Sequence, residues 1–245
     1  MLSANKSRFF NKLFSIYNEK YLLERRFSYI GIRGQLDPAD SKLPVLYIMN
    51  HSSWWDGLLV HHALQRLSSG EHYVMMEEEQ LHKFAFFRKL GAYSIRKGDT
   101  GEVRQTLNYT RELLSAGHRV WIFPQGEIRH QDVRPLGFER GVGLLLSRLP
   151  NTAVIPVTLV HGLYSRDKPE AFLNAGHPII ENWSDYTSRE ITRILEDVLT
   201  GQLERQKREI MAAPLGRPVE YISLIHSKRS TSERFEKVFV KRGEQ

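Results

Sequence analysis

Asn50-His51-Ser52-Ser53-Trp54-Trp55-Asp56 places a histidine five residues before an aspartate, directly after the apolar run Leu46-Tyr47-Ile48-Met49. These two residue types can make a general base. An imidazole titrates near neutrality, and a carboxylate on one ring nitrogen holds the tautomer and stabilises the imidazolium formed when the other nitrogen takes a proton. The spacing restricts where the two can meet. On an ideal helix, five residues turn the chain by about 500°, leaving the side chains roughly 140° apart. The pair therefore meets only if His51 lies on a strand-to-helix turn and Asp56 in the first helical turns. Histidine and aspartate fall at this spacing by chance in many sequences, so the neighbouring segments decide what the pair means.

The elements around the pair predict the scaffold. Strand-like runs rich in β-branched and aromatic residues are Val45–Asn50, His72–Met76, Tyr93–Lys97, Arg119–Pro124 and Ala153–His161. Helical patterns occupy Trp54–Leu67, Glu79–Leu90, Glu102–Ala116 and Glu139–Leu149, with Gly91 and Gly117 where C-terminal caps would fall. This alternation predicts an α/β fold, a mixed, largely parallel sheet flanked by helices. Sites in such sheets lie beyond the carboxyl ends of the strands, where His51 and the residues after Phe123 would be. A long helical pattern from Asp185 to Ala212 carries Ile191, Ile194, Leu195, Val198 and Leu203. Gly31 to Pro44 is rich in turn formers, and no internal repeat is seen.

The start of the chain, from Lys6 to Tyr29, reads as an N-terminal amphipathic helix. Phe10, Leu13, Phe14, Tyr17 and Tyr21 recur at helical steps, and Lys6, Arg8, Lys12, Lys20, Arg25 and Arg26 supply charge. Two readings stand side by side: a helix lying in a membrane interface, or one packed on the domain with a solvated basic face. The expected organisation is residues 1–30 for this helix, 31–212 for the α/β domain and 213–245 for a basic extension with Lys228, Arg229, Lys237, Lys241 and Arg242. That extension reads either as a docked strand and helix or as partly disordered.

Three more segments stand at strand ends. Gly91-Ala92-Tyr93-Ser94-Ile95-Arg96-Lys97-Gly98 puts two cations where a strand stops. Phe123-Pro124-Gln125-Gly126-Glu127-Ile128-Arg129 breaks an apolar strand with a Pro and Gly turn followed by mixed charge. Val154-Ile155-Pro156-Val157-Thr158 carries a proline that suggests a bulge, a strand end or an edge strand. Taken singly, each has a plain alternative: solvated strand-end charge for Arg96 and Lys97, and simple turn chemistry for the prolines and Gly126.

In this order, with His51 and Asp56, the segments resemble the glycerolipid acyltransferase family, which contains bacterial 1-acyl-glycerol-3-phosphate acyltransferases. Its four blocks are a His-x4-Asp motif, a Gly-containing block ending in Arg, a Phe-Pro-Glu-Gly-Thr-Arg block and an apolar block with a central Pro. The first matches fully at His51 to Asp56, the second at Gly91, Ile95 and Arg96, and the fourth at Val154 to Val157. Phe138-Glu139-Arg140-Gly141 is similar to a Phe-Lys-x-Gly stretch that the family often has. The resemblance covers about Leu43 to His161. The third block departs from the pattern: Gln125 replaces the glutamate, Glu127 stands where threonine is usual, and Arg129 arrives one position late. The resemblance assigns this block to the acyl acceptor, so the departure bears on the acceptor more than on the reaction. A glycolipid or another lipid alcohol then rivals lysophosphatidate.

The implied reaction moves a fatty acyl group from acyl-coenzyme A or acyl carrier protein to a hydroxyl of a lipid acceptor. His51 would be the base and Asp56 its partner. No protein nucleophile is needed, because a thiolate is already a good leaving group, and no Gly-x-Ser-x-Gly elbow is present. Backbone N–H groups around Gly126 or after Ser52 are candidates for the oxyanion. Arg96, Lys97, Arg129 and Arg140 would hold a phosphate or the coenzyme A phosphates by charge-assisted hydrogen bonds, with Gln125, Gly126 and Glu127 shaping the acceptor site. Of Trp54 and Trp55, one is expected in the core and the other along an acyl groove.

Composition sets the remaining bounds. Of 245 residues, 41% are hydrophobic and 26% charged, which suits one large folded domain. The formal charge of +7 implies an anionic partner: nucleic acid, a phosphorylated substrate or an anionic membrane. The absence of cysteine excludes disulfides, thiolate-bound zinc and a cysteine nucleophile. No bound cofactor and no metal are expected: no His-Glu-x-x-His occurs, and the adjacent His61 and His62 read as part of a surface helix. Nucleic acid is not expected as a partner, since the basic residues are dispersed among acids and no known module is present. A scaffold protein without catalysis is the third class; intact His51 and Asp56 argue against it and the altered third block for it. No apolar run is long enough to span a bilayer and no secretory signal is read. The expected place is the cytoplasm, peripheral at the membrane face.

Overall fold

The computed structural model describes residues 1–37, 43–164, 166–213, 218 and 220–225. Its strands are β1 (Tyr29–Arg33), β2 (Val45–Met49), β3 (His72–Glu77), β4 (Ala92–Ile95), β5 (Arg119–Ile122), β6 (Ala153–Gly162), β7 (Glu170–Ala175) and β8 (Ile222–Ser223). They form one sheet in the order β4-β3-β5-β2-β6-β7-β1-β8. The run from β4 to β6 is parallel. β7 lies antiparallel to β6, β1 parallel to β7, and β8 antiparallel to β1. The fold is thus α/β with a mixed, largely parallel sheet.

Alternation along the strands builds a core on each face. Leu46, Ile48, Val120, Ile122, Val154 and Val160 pack with α5 (Thr100–Ser115), α6 (Gly141–Leu146) and α7 (Ser188–Ala212). Val45, Tyr47, Met49, Ile155, Val157 and Leu159 pack on the other face with α3 (Asp56–Leu67) and the N-terminal residues Leu23 and Phe27. Burial on both faces is why the central strands read as continuous apolar runs. On the first face, Gly143 lets α6 approach α7 closely, since a β-carbon there would fall 1.9 Å from the Ser188 carbonyl oxygen. A capping box between Thr187 and Glu190 starts α7.

Several expectations are corrected. β1 occupies residues read as the end of a helix and the start of a turn region, crossing the expected boundary at residue 30, and β7 was not expected. The pattern 79–90 divides into α4 (Glu78–Lys83) and a 3-10 turn, Ala85–Leu90. Pro156 marks neither an edge nor a strand end but lies inside β6, opposite Ile48 of β2. Its carbonyl oxygen faces the β7 side, where it accepts from Gly176 N at 2.8 Å. A residue's N–H and C=O point to one side of a strand, so the missing donor faces the margin of the β7 ladder, which begins at Val157. Of the extension, Ile222–Ser223 docks as β8, and the basic residues from Lys228 onward lie outside the described residues.

The N-terminal helix is α1 (Arg8–Tyr17), which runs through a π-helical turn, Asn18–Leu23, into α2 (Glu24–Arg26). The buried Asn18 Nδ2 donates to the Leu58 carbonyl at 2.9 Å, tying the turn to α3. Phe14 packs on His61, Phe86 and Phe87. The outward face is not only basic: Phe9, at 83% exposure, with Leu13, Ile16, Tyr17 and Tyr21, is open beside Arg8, Lys12 and Lys20. Among the described residues, no helix is long and apolar enough to cross a membrane.

Candidate active site

Where β2 ends, the buried Asn50 side chain continues its ladder. Nδ2 donates to the Leu159 carbonyl at 2.9 Å, and Oδ1 accepts from Leu159 N at 2.8 Å. The amide stands in for one more residue of backbone pairing and frees the main chain to turn. His51 lies on that turn, and Asp56 is the first residue of α3. Asp56 Oδ2 accepts from Ser52 N at 2.7 Å and Ser53 N at 3.0 Å, so the carboxylate itself closes the turn. A carboxylate there also sits at the positive end of the helix dipole.

Asp56 and His51 meet at 2.9 Å, Oδ2 to Nδ1. A second imidazole joins them: His161 Nε2 lies 2.9 Å from Asp56 Oδ1. Asp56 is 0% exposed. Burial alone would raise its pKa, but hydrogen bonds from His161 and His51 outweigh that and hold the carboxyl below its ordinary value. An ionised carboxylate only accepts, so His51 presents Nδ1–H and His161 presents Nε2–H. His51 Nε2 is then the nitrogen with a lone pair, and it has no hydrogen-bond partner among the described residues. The imidazole lies against Phe123, ring centroids 4.5 Å apart.

His161 was missed in the sequence. It closes the row Ile155, Val157, Leu159 on the α3 side of β6, and strand parity could have placed it there. What the sequence hides is that β6 is the neighbour of β2, which brings this row to Asp56.

Residues 123–140 form a loop between β5 and α6. The altered third block contacts the histidine directly. Gln125, buried, accepts from His51 N at 2.6 Å through Oε1, and Arg129 N donates to His51 O at 3.0 Å. A neutral amide here makes the bond without a second buried carboxylate near Asp56. Farther on, Gln131 exchanges two 3.1 Å hydrogen bonds with the His161 backbone. Arg134 pairs with Glu204 of α7, Lys207 Nζ donates to Gln131 O at 2.9 Å, and Glu196 accepts from Gly137 N at 2.6 Å. This long loop is therefore strapped to α7 and not free.

Some of the expected oxyanion donors are already engaged. Ser52 N and Ser53 N serve Asp56, and Gly126 N donates to Phe123 O at 2.9 Å. Among the described residues, the amides of Glu127 and Ile128 make no hydrogen bond. Gly126, at φ +68, abuts Lys97: a β-carbon there would lie 2.6 Å from Nζ. The four cations differ. Arg96 is paired with the buried Glu78, and Arg129 with Glu127 at 2.8 Å. Lys97 has only Glu139, at 3.7 Å, and Arg140, exposed at the start of α6, has no partner among the described residues. Trp55 packs edge-on against Phe27 of the core, while Trp54 is 51% exposed. The surface reading of the histidine pair is corrected: His62 is buried, with Nε2 donating to Leu224 O at 2.9 Å, and His61 bonds Asn11.

A family model described as acyltransferase matches residues 31–160, more than half of the chain. The chain belongs to the acyltransferase family. The match spans β1 through β6, and so includes the His51 turn, Arg96, the third block and Pro156. This acyltransferase is one of the glycerolipid acyltransferase family, and the match ends one residue before His161. No curated protein matches the chain.

Proposed function

We propose that this acyltransferase moves a fatty acyl group from acyl-coenzyme A or acyl carrier protein to a hydroxyl of a lipid acceptor, with His51 as general base. The observation that carries this reading is the 2.9 Å contact of His51 Nδ1 with the ionised Asp56, which leaves Nε2 as the acceptor nitrogen. The acceptor's O–H gives its proton to Nε2 as its oxygen attacks the thioester carbonyl. The tetrahedral intermediate then collapses, the C–S bond breaks, and the imidazolium returns the proton to the departing thiolate. Asp56 stabilises the imidazolium in between. The amides of Gln125, Glu127 and Ile128, which make no hydrogen bond among the described residues, are donors the third block can offer the oxyanion.

Lys97 and Arg140 are the better-placed cations for a phosphate, because Arg96 and Arg129 would first have to share a carboxylate they already hold. Gln125 serves the histidine backbone, so Gly126 and Glu127 form the part of the block that can meet the acceptor. Trp54 is the tryptophan placed to meet an acyl chain. The exposed stripe Phe9, Leu13, Ile16, Tyr17 and Tyr21, with Arg8, Lys12 and Lys20 beside it, has the composition of a helix seated in an anionic membrane interface. Lipid acceptors would be reached from that surface.

The test is an assay of purified protein with labelled acyl-coenzyme A and acyl carrier protein against lysophospholipids, glycolipids and other lipid alcohols, products identified by mass. An acylated lipid that is lost with His51→Ala supports the reading. Hydrolysis of the thioester without an acylated acceptor, or product unaffected by the substitution, contradicts it.

A further inference from the structure

Asp56 has two oxygens and two imidazoles. Oδ2 takes His51 Nδ1 together with two backbone amides, and Oδ1 takes His161 Nε2. A buried carboxylate with His51 as its single ionisable partner would strongly favour the imidazolium. A base that is already protonated at neutral pH cannot accept the substrate's proton. A second donor on the same carboxylate spreads its charge and weakens its pull on the first. The two imidazoles therefore compete.

We propose that His161 is a positioning residue of the acyl-transfer site: by donating Nε2–H to Asp56 Oδ1, it orients the carboxylate toward His51 and takes a share of the charge that would otherwise act on His51 alone. This rests on the reading of His51 as the base. The placement is built from several directions. His161 ends the inward row of β6, its backbone N–H and C=O are both held by the Gln131 side chain, and its ring centroid lies 6.3 Å from that of Phe27. Gln131 belongs to the loop that also carries Gln125 and Arg129, so the acceptor block, His51 and His161 are fixed by one segment. Among the described residues, Asp56 on α3 is the ionisable group that hydrogen-bonds His161, and it is shared with His51 after β2; Glu127 and Arg129 on the loop pair with each other at 2.8 Å, and α2, which leads into Phe27, carries the buried Glu24 and the exposed Arg25 and Arg26. Asp56 is thus the anion that both imidazoles share.

The experiment is a pH titration of the histidine rings by ¹H–¹⁵N NMR, with the pH profile of acyl transfer measured in parallel. In His161→Phe, the His51 midpoint should rise by about one pH unit, the scale of one lost charge-assisted hydrogen bond, and the acid limb of the rate should move with it. His161→Gln keeps an N–H donor and should restore the midpoint to within roughly 0.3 unit. The two imidazoles share one carboxylate, so in His51→Ala the His161 midpoint should rise as well, which needs no folded His161 variant. An unchanged His51 midpoint in folded His161→Phe, or an unchanged His161 midpoint in His51→Ala, overturns the proposal. The ring titrations do not depend on the reaction. Full activity in His51→Ala would sink the base reading while leaving the measured coupling intact.

Discussion

Replacing Asp56 by asparagine separates what the carboxylate does for the fold from what it does for the reaction. Three of its four donors converge on Oδ2: His51 Nδ1, Ser52 N and Ser53 N, at 2.9, 2.7 and 3.0 Å. An asparagine with its oxygen in that position keeps all three. Its Nδ2 then faces His161 Nε2, which can become an acceptor by moving its proton to Nδ1. No hydrogen bond need be lost, so the stability cost is about 1 kcal/mol, or roughly 2–4 °C in melting temperature for a chain of this size. The rate behaves differently. A neutral amide cannot stabilise the imidazolium, and the general-base contribution it supports is about 10²–10⁴-fold, equivalent to about 3–5 kcal/mol of barrier. Initial rates of acyl transfer for Asp56→Asn, taken beside circular-dichroism melts, should show this split. A rate within about threefold of wild type, less than 1 kcal/mol of barrier, would refute the reasoning. So would a loss explained entirely by unfolding.

Two other perturbations reach different parts of the molecule. Burial pushes His61 down to about 4 and His72 down to about 3, the latter with help from the nearby Arg119 charge. Both are neutral in the native state, whereas the unfolded chain takes up protons below about pH 6.5, so stability should fall as pH drops from there toward 4. His72→Gln should flatten part of that fall in melts against pH, and an identical slope would contradict the assignment. For the N-terminal helix, Phe9→Ser, Leu13→Ser and Ile16→Ser together should lower sedimentation with anionic liposomes and leave neutral ones unaffected. An unchanged pellet would favour a purely structural helix.

The sequence carried the local geometry of the site further than its surroundings. The five-residue spacing required a turn followed by a helix, and His51 and Asp56 occupy those positions. The central strands were legible because burial on both faces leaves continuous β-branched and aromatic runs. β1 was not: Tyr29–Arg33 is short, contains Gly31 and follows a helical pattern without a break. β7, with Ala171, Asn174 and Ala175 among its six residues, lacks the composition of a strand and owes its place to pairing with β6 and β1. Strand order is a property of distant pairings. For that reason the partnership of His161 with Asp56, across 105 positions, left no trace in local pattern. The same holds for Arg96, whose Glu78 partner is not visible from spacing, and for the bond from Arg129 N to the His51 carbonyl. Of the tryptophan pair, Trp55 packs against Phe27 and Trp54 is open.

The most direct measurement is the acyl-transfer rate of His51→Ala beside its melting curve. The imidazole is a modest packing element, partly exposed at the end of β2, so the melting temperature should move by no more than about 2–4 °C, while the rate falls by about 10²–10⁴. Acyl transfer at the wild-type rate by a folded His51→Ala protein would contradict the central claim.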